Sequence, residues 1–401
     1  MIASRLVIAA LCAAMAGPAL AQTVPPIKIG VLNDRTGIYA DFAGQGSVVG
    51  AQMAVEDFQK THPDIKVEIL AADHQNKADV GSAIARKWYD EDGVDMIVDV
   101  PNSAVALAVN EVSREKNKVL IVSGGGTSDL TGPKCAPNTI HWTFDTWSLA
   151  HGTGSAMVKR GGDTWFFITA DYAFGHALER DTAKVVTESG GKVLGSARAP
   201  MGGSDFGSFL LQAQSSKAKV IGLANAAADT TNTIKQASEF GITQGGQKLA
   251  GLLIFLTDVH SLGLKVAQGL VLTEAFYWDQ NEGTRAFSKR FGARMGGTMP
   301  TMVHAGVYSA VTHYLKAVVA AKSKDSDKVV AQMKAIPTDD PLFGKGQVRA
   351  DGRHIHNMYL FEVKTPAESK GEWDIYNTLA TIPAADAFRP LSEGHCPLVK
   401  S

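Results

Sequence analysis

The stretch from Asp95 to Thr131, DMIVDVPNSAVALAVNEVSREKNKVLIVSGGGTSDLT, constrains the fold of this chain more than any other. Met96-Ile97-Val98 is a short apolar run with β-branched residues, and Pro101-Asn102-Ser103 breaks it. Ala104 to Val112 then places small and apolar residues at helical spacing, and Val119-Leu120-Ile121-Val122 reads as a second buried strand. Strand, helix and strand in that order predict a βαβ unit with parallel strands. Ligands of such sheets sit beyond the carboxyl ends of the strands. Here both ends carry small polar groups: Asn102 and Ser103 after the first strand, Ser123-Gly124-Gly125-Gly126-Thr127 after the second. Hydroxyls, free backbone N–H groups and a helix N-terminus that converge on one spot suit an anion. A plainer role fits the same residues, with Ser103 capping its helix and the glycines turning the chain.

The same alternation extends in both directions. Upstream, Ile27 to Leu32 reads as a strand, Asn33 to Gly37 as a turn, and Ala40 to Gln59 as a helix with Val48, Met53, Val55 and Phe58 on its apolar face. Tyr39 sits where that turn enters the helix, placing it over a strand end. Val67 to Leu70 is the next strand and Val80 to Asp90 the next helix. Downstream, a second series begins near Trp147, with strands at 164–168, 193–195, 220–223, 249–255 and 269–273. Asp171-Tyr172-Ala173-Phe174-Gly175 and Asn225 to Asp229 are its strand-exit loops. Two doubly wound α/β domains follow from this pattern, and two domains also suit a length of 401 residues.

A formal net charge of -1 removes the case for a nucleic acid or an anionic membrane as partner, since both want a basic face. Arg5, the apolar run Leu6 to Ala16, and Ala19-Leu20-Ala21 read as a signal peptide cut after Ala21, so the expected mature chain starts at Gln22 and is exported. Leu11 before Cys12 argues against a lipoprotein. No later segment has the apolar length to span a bilayer. Removal of Cys12 leaves Cys135 and Cys396, which an oxidising compartment favours as a disulfide over two free thiols.

Taken together, the motifs resemble a known family. Gly30-Val31-Leu32 with Thr36-Gly37, Ala72-Asp73, Pro101-Asn102-Ser103, Val122 to Thr127, Asp171 to Gly175, Asp205-Phe206 and Ile234 to Ala237 with Gly241 follow one another as in type I periplasmic solute-binding proteins of the branched-chain amino acid transport class. The resemblance implies two lobes joined by three crossover strands. It assigns 22–145 and 276–345 to the first lobe, and 146–275 and 346–401 to the second lobe and tail. It implies a ligand held in the cleft, with its carboxylate on Ser103, Gly125, Gly126 and Thr127, beside Asn102. An aromatic contact from the second lobe aligns near Tyr172 or Phe174. Asp171, Asn225, Ala226, Leu253, Phe255 and Tyr39 complete the expected contacts.

Two departures from the family bear on the ligand. The acid that amino-acid-binding members offer to an ammonium falls here on Leu252 or Leu253, and a second aromatic position falls on Ala226 or Ala227. The expected ligand is therefore a carboxylate without an amine, an aromatic acid, with a branched-chain or other amino acid or an amide as the alternative. The implied partner is an inner-membrane ABC permease with ATPase subunits, served by a periplasmic monomer that needs no cofactor or metal. A ligand-sensing module is a further alternative. An enzyme is disfavoured, because no G-x-S-x-G, P-loop, HExxH or GxGxxG pattern occurs. His354 and His356 alternate on an extended segment and are expected to face solvent, while His74 and His304 read as structural.

Overall fold

A computed structural model of the chain describes residues 26–399; the expected signal peptide lies outside the described residues. The first sheet holds β1 (Ile27–Asn33), β2 (Val67–Asp73), β3 (Met96–Asp99), β4 (Val119–Val122) and β5 (Thr139–His141), all parallel, in the order β2-β1-β3-β4-β5. The expected βαβ unit is there: β3 and β4 pair in register from Met96 on Val119 to Asp99 on Val122. Every residue of both strands is buried, as parallel strands covered on both faces require. The helix between them, Ser103–Lys116, runs a turn longer than its apolar spacing suggests. It stops where Asn117 turns left-handed, at φ 48°.

The second sheet repeats the plan. β6 (Thr164–Ala170), β7 (Lys192–Ala199), β8 (Val220–Ala224) and β9 (Lys248–Gly251) are parallel in the order β7-β6-β8-β9. In both sheets the first strand in sequence lies second in space, so the order in which strands are added reverses beside it, and that switch point opens a crevice at the carboxyl ends. β9 ends at Gly251, four residues short of the expected strand, and Leu252 to Phe255 leave the sheet as a loop into helix Leu256–Leu262.

The chain passes between lobes three times: after β5, after β10 (Val271–Glu274), and between two antiparallel groups late in the sequence. One group is β11 (Thr338–Asp340), β12 (Gly344–Val348) and β13 (His354–Ile355). The other sets β14 (Met358–Val363) between β10 and β15 (Tyr376–Ile382). Helix Met302–Ala321 returns to the first lobe and packs along helix Gly44–Thr61. Gly50 permits that approach: a Cβ there would meet the His304 carbonyl oxygen at 2.7 Å. The helix Gly44–Thr61 buries Val48, Met53, Val55 and Phe58, the face its spacing marks.

His354 and His356 do not face solvent; both are fully buried. Arg353, between His354 and the turn at Gly352, bridges to His141 of β5, and the C-terminal segment covers the other side. The His354 ring stacks on Trp142 at 3.9 Å, and burial pushes His356 down to about 4. Period-2 alternation implies a wet face only where nothing covers it. The Arg353 guanidinium, fully buried, donates to the carbonyl oxygens of Trp142, Phe144 and His354 and lies 4.1 Å from the Phe388 ring centre. Further along that segment Cys396 is bonded to Cys135, with Cα atoms 5.7 Å apart. Arg389 donates to the Ser128 carbonyl at 2.9 Å, and Lys184 pairs with Glu393 at 2.6 Å. No helix among the described residues is long and apolar enough to cross a membrane.

Candidate functional site

The first-lobe wall of the crevice is built at the carboxyl ends of β1, β3 and β4. After β1, the buried Asp34 carboxylate accepts the N–H groups of Gly37 at 2.8 Å and Tyr39 at 2.9 Å. That fixes Tyr39 over the strand end. After β3 the backbone is strained: Asp99 has φ 91° and Val100 φ 51°, a region that a β-branched residue rarely enters. The distortion aims the Asp99 carbonyl at the N–H groups of Ser123 and Gly124, at 3.0 and 3.2 Å, and so ties the two strand-exit loops together. Burial lifts the Asp99 carboxyl to about 7.

Asn102, not Ser103, caps the helix, its Oδ1 accepting from Ala104 and Val105 at 2.9 and 3.2 Å. Its Nδ2 reaches the Met201 sulfur of the second lobe at 3.5 Å. Ser103 Oγ instead accepts the Thr127 N–H at 3.1 Å, and Thr127 Oγ1 caps the short helix Ser128–Thr131. The two hydroxyls expected to meet one anion thus lie together, each already accepting a backbone proton and each keeping its own proton to donate. The N–H groups of Gly125 and Gly126 donate to no protein acceptor among the described residues. Gly126 has no room for a side chain: a Cβ would come within 2.9 Å of both Phe144 and Phe174.

The second-lobe wall is made of side chains. Tyr172 and Phe174 follow β6, Ala226 follows β8, and Leu253 and Phe255 follow β9. The Tyr172 and Tyr39 hydroxyls meet across the cleft at 2.5 Å, and Phe255 stacks on Phe42 at 4.1 Å between ring centres. Tyr39, Phe42, Pro101, Gly124, Tyr172, Phe174, Ala226 and Leu253 close around a cavity of only about 10 Å³, room for about one water. Among these, Phe42, Pro101 and Gly124 are not expected contacts from the sequence. Pro101 and Gly124 lie inside the two strand-exit motifs, whereas the helical spacing takes in Phe42 and the helix starts two residues later, at Gly44.

Of the expected contacts, Tyr39, Tyr172, Phe174, Ala226 and Leu253 line the cavity; Asn102, Ser103, Gly125, Gly126, Thr127 and Phe255 do not, and Asp171 and Asn225 turn to other partners. Asp171 is exposed and pairs with His176 at 2.8 Å, because the bulky Tyr172 beside it takes the inward direction. Asn225 is buried but spends its amide on its own helix, accepting from Thr230 at 2.8 Å and donating to Thr233 at 3.2 Å. Asp229, in the first turn of that helix, is the buried acid nearby, and burial lifts it to about 6. His74 and His304 are buried and structural: Nε2 of His304 meets the Ala43 carbonyl at 3.0 Å. No cluster of three or more metal-ligating side chains occurs among the described residues.

Comparison with known proteins agrees with this geometry. A family model described as periplasmic binding protein matches residues 26–372. A periplasmic binding protein from Burkholderia mallei is 53% identical, with a TM-score of 0.91, and the match covers 94% of this chain and 99% of that one. A branched chain amino acid ABC transporter periplasmic ligand-binding protein from Burkholderia xenovorans is 41% identical, with a TM-score of 0.82 and coverages of 93% and 99%. An ABC transporter solute-binding protein from R. palustris, solved in complex with benzoate, shares the fold at 22% identity, with a TM-score of 0.78 and coverages of 89% and 97%. No curated protein sequence matches significantly. Two lobes wound alike, a crevice at their facing strand ends and a family match over most of the chain lead to one conclusion: this protein belongs to the periplasmic binding proteins of ABC transporters.

Proposed function

We propose that the protein captures one small carboxylate, an aromatic acid of the benzoate or cinnamate type, in the periplasm and delivers it as a monomer to an inner-membrane permease with ATPase subunits. The observation that carries this reading is the pairing of unlike walls. On one side Gly125 and Gly126 offer N–H groups, and Ser103 and Thr127 offer hydroxyl protons. On the other, Phe174 and Leu253 with Phe42 offer flat apolar surface around a small cavity. Hydrogen bonds to an ionised carboxylate contribute about 1.5–3 kcal/mol each. The buried Leu252 and Leu253 stand where the family resemblance places the acid for an ammonium, which supports a ligand without an amine. The benzoate carried by the R. palustris relative points the same way. Capture is stoichiometric, by hinge closure of the lobes and without chemical turnover.

A second reading, an amino acid, draws support from Asp229, a buried acid without a cationic partner among the described residues, and from the B. xenovorans relative. Calorimetric titration with benzoate, cinnamate, leucine and phenylalanine separates the two. One-site micromolar binding of an aromatic acid, recovered unchanged, is expected. Binding of the amino acids alone reverses the choice.

A further inference from the structure

Loop 123–127, which follows β4, spends its backbone groups unevenly. The N–H groups of Ser123 and Gly124 go to the Asp99 carbonyl and that of Thr127 to Ser103 Oγ, which leaves those of Gly125 and Gly126 without a protein acceptor among the described residues. Their carbonyls do have donors. The Thr146 N–H holds the Gly126 oxygen at 2.7 Å. The Gly125 oxygen is held by a side chain, His141 Nε2, also at 2.7 Å. His141 ends β5, in register with Val122 at the end of β4, which sets its ring beside the loop that leaves the sheet there.

The His141 ring is fully buried, and its Nδ1 has no partner among the described residues. A carbonyl oxygen only accepts, so Nε2 carries the proton. A second proton on Nδ1 would be buried without an acceptor. Burial, with the Arg353 charge adding to it, holds the imidazole well below its ordinary range and keeps it neutral. His141 is thus a single fixed donor aimed at one carbonyl.

The Gly125 oxygen and the Gly126 N–H belong to one trans peptide and point in opposite directions. Turned over, that peptide would present a carbonyl oxygen where it now presents a donor, and a glycine on either side does little to prevent the turn. We infer that His141 is a positioning residue of the carboxylate wall: by holding the Gly125 oxygen back, it aims the Gly126 N–H at the ligand. The inference rests on the carboxylate reading given above. It holds for an aromatic acid and for an amino acid alike, since both carry that group.

The test uses reach. A glutamine amide nitrogen can stand where Nε2 stands, whereas the shorter asparagine amide reaches only as far as Nδ1. Wild type, His141→Gln and His141→Asn are titrated by calorimetry with benzoate and with leucine, and their urea midpoints are measured alongside. Whichever probe binds the wild type should bind His141→Gln within about threefold and His141→Asn about tenfold or more weakly, at similar urea midpoints. In the wild type the Gly126 amide resonance should move on addition of that probe. An unmoved Gly126 resonance overturns the positioning role even if neither variant folds. Equal loss of affinity in both variants, or His141→Asn that binds like the wild type, overturns it too and leaves the carboxylate reading intact. Failure of both probes to bind the wild type overturns both.

Discussion

The two walls of the cleft are made differently, although the two sheets behind them are wound alike. The first-lobe wall is backbone: loops at 99–103 and 123–127 laced to each other, with Asn102, Ser103 and Thr127 as internal caps. The second-lobe wall is side chains on helix starts, Tyr172, Phe174 and Ala226, with an acid that has few partners. A wall of backbone groups suits what all ligands of a class share, in the proposed reading a carboxylate, and it tolerates little change. A wall of side chains can change one residue at a time without unmaking the loop, so it is where ligand choice can be tuned.

The largest expected effect tests whether the first wall depends on its anchor. Cys135 lies four residues beyond the helix that Thr127 caps, and its partner Cys396 closes a loop of sequence separation 261. Replacing both cysteines with serine should cost about 2–4 kcal/mol of stability in urea unfolding. Intact mass of the wild type should rise by two hydrogens on reduction. Two alkylatable thiols in native, unreduced protein would remove the anchor from the comparison.

Next is the seam between the walls. Gly126→Val drives a side chain into Phe174 of the opposite lobe as well as Phe144. Overpacking of about 1–3 kcal/mol in the closed form should weaken binding ten- to a hundredfold or so, while small-angle scattering shows less compaction on ligand addition. Unchanged affinity would mean the lobes do not close on Gly126.

Ser103→Ala sharpens the claim that the first wall is self-capped. Because Ser103 Oγ accepts the buried Thr127 N–H, its loss should lower stability by about 1–2 kcal/mol as well as weaken binding. A binding loss with unchanged stability would make Ser103 a ligand contact alone.

The smallest effect probes the second wall by pH. Asp229 sits at about 6 in the folded chain against 3.8 for the ordinary carboxyl, because it is buried. Between those values the folded state holds more protons than the unfolded state. Raising pH from about 4 to about 6 should therefore destabilise wild type relative to Asp229→Asn, with no further change above that window. Urea midpoints measured at pH 4.5 and 7 give the difference directly. A trend of the opposite sign would mean that Asp229 has gained a cationic partner.

Much of this architecture is legible in the chain. Runs such as Met96 to Val98 and Val119 to Val122 are too short and too apolar to be anything but buried strands once glycine and proline bound them. The strand-exit loops can be marked because they must follow such strands. What escaped is directional. Asp171 and Tyr172 are neighbours, and only the packed helix decides that the ring goes in and the acid goes out. Asn225 prefers its own helix to the cleft for the same local reason.

The sequence by itself determined the alternation of strand and helix in the two repeated α/β units, the loops at the strand ends and the pair of cysteines, since periodicity, chain breakers and residue counts are local properties. Only the tertiary structure decided that His354 and His356 are dry, that Arg353 is buried on three carbonyls, and that Tyr39 meets Tyr172. Each depends on a segment brought in from afar: Phe388 over Arg353, Trp142 beneath His354, one lobe against the other. Burial is set by what covers a residue, and the covering segment leaves no mark in the residues it covers.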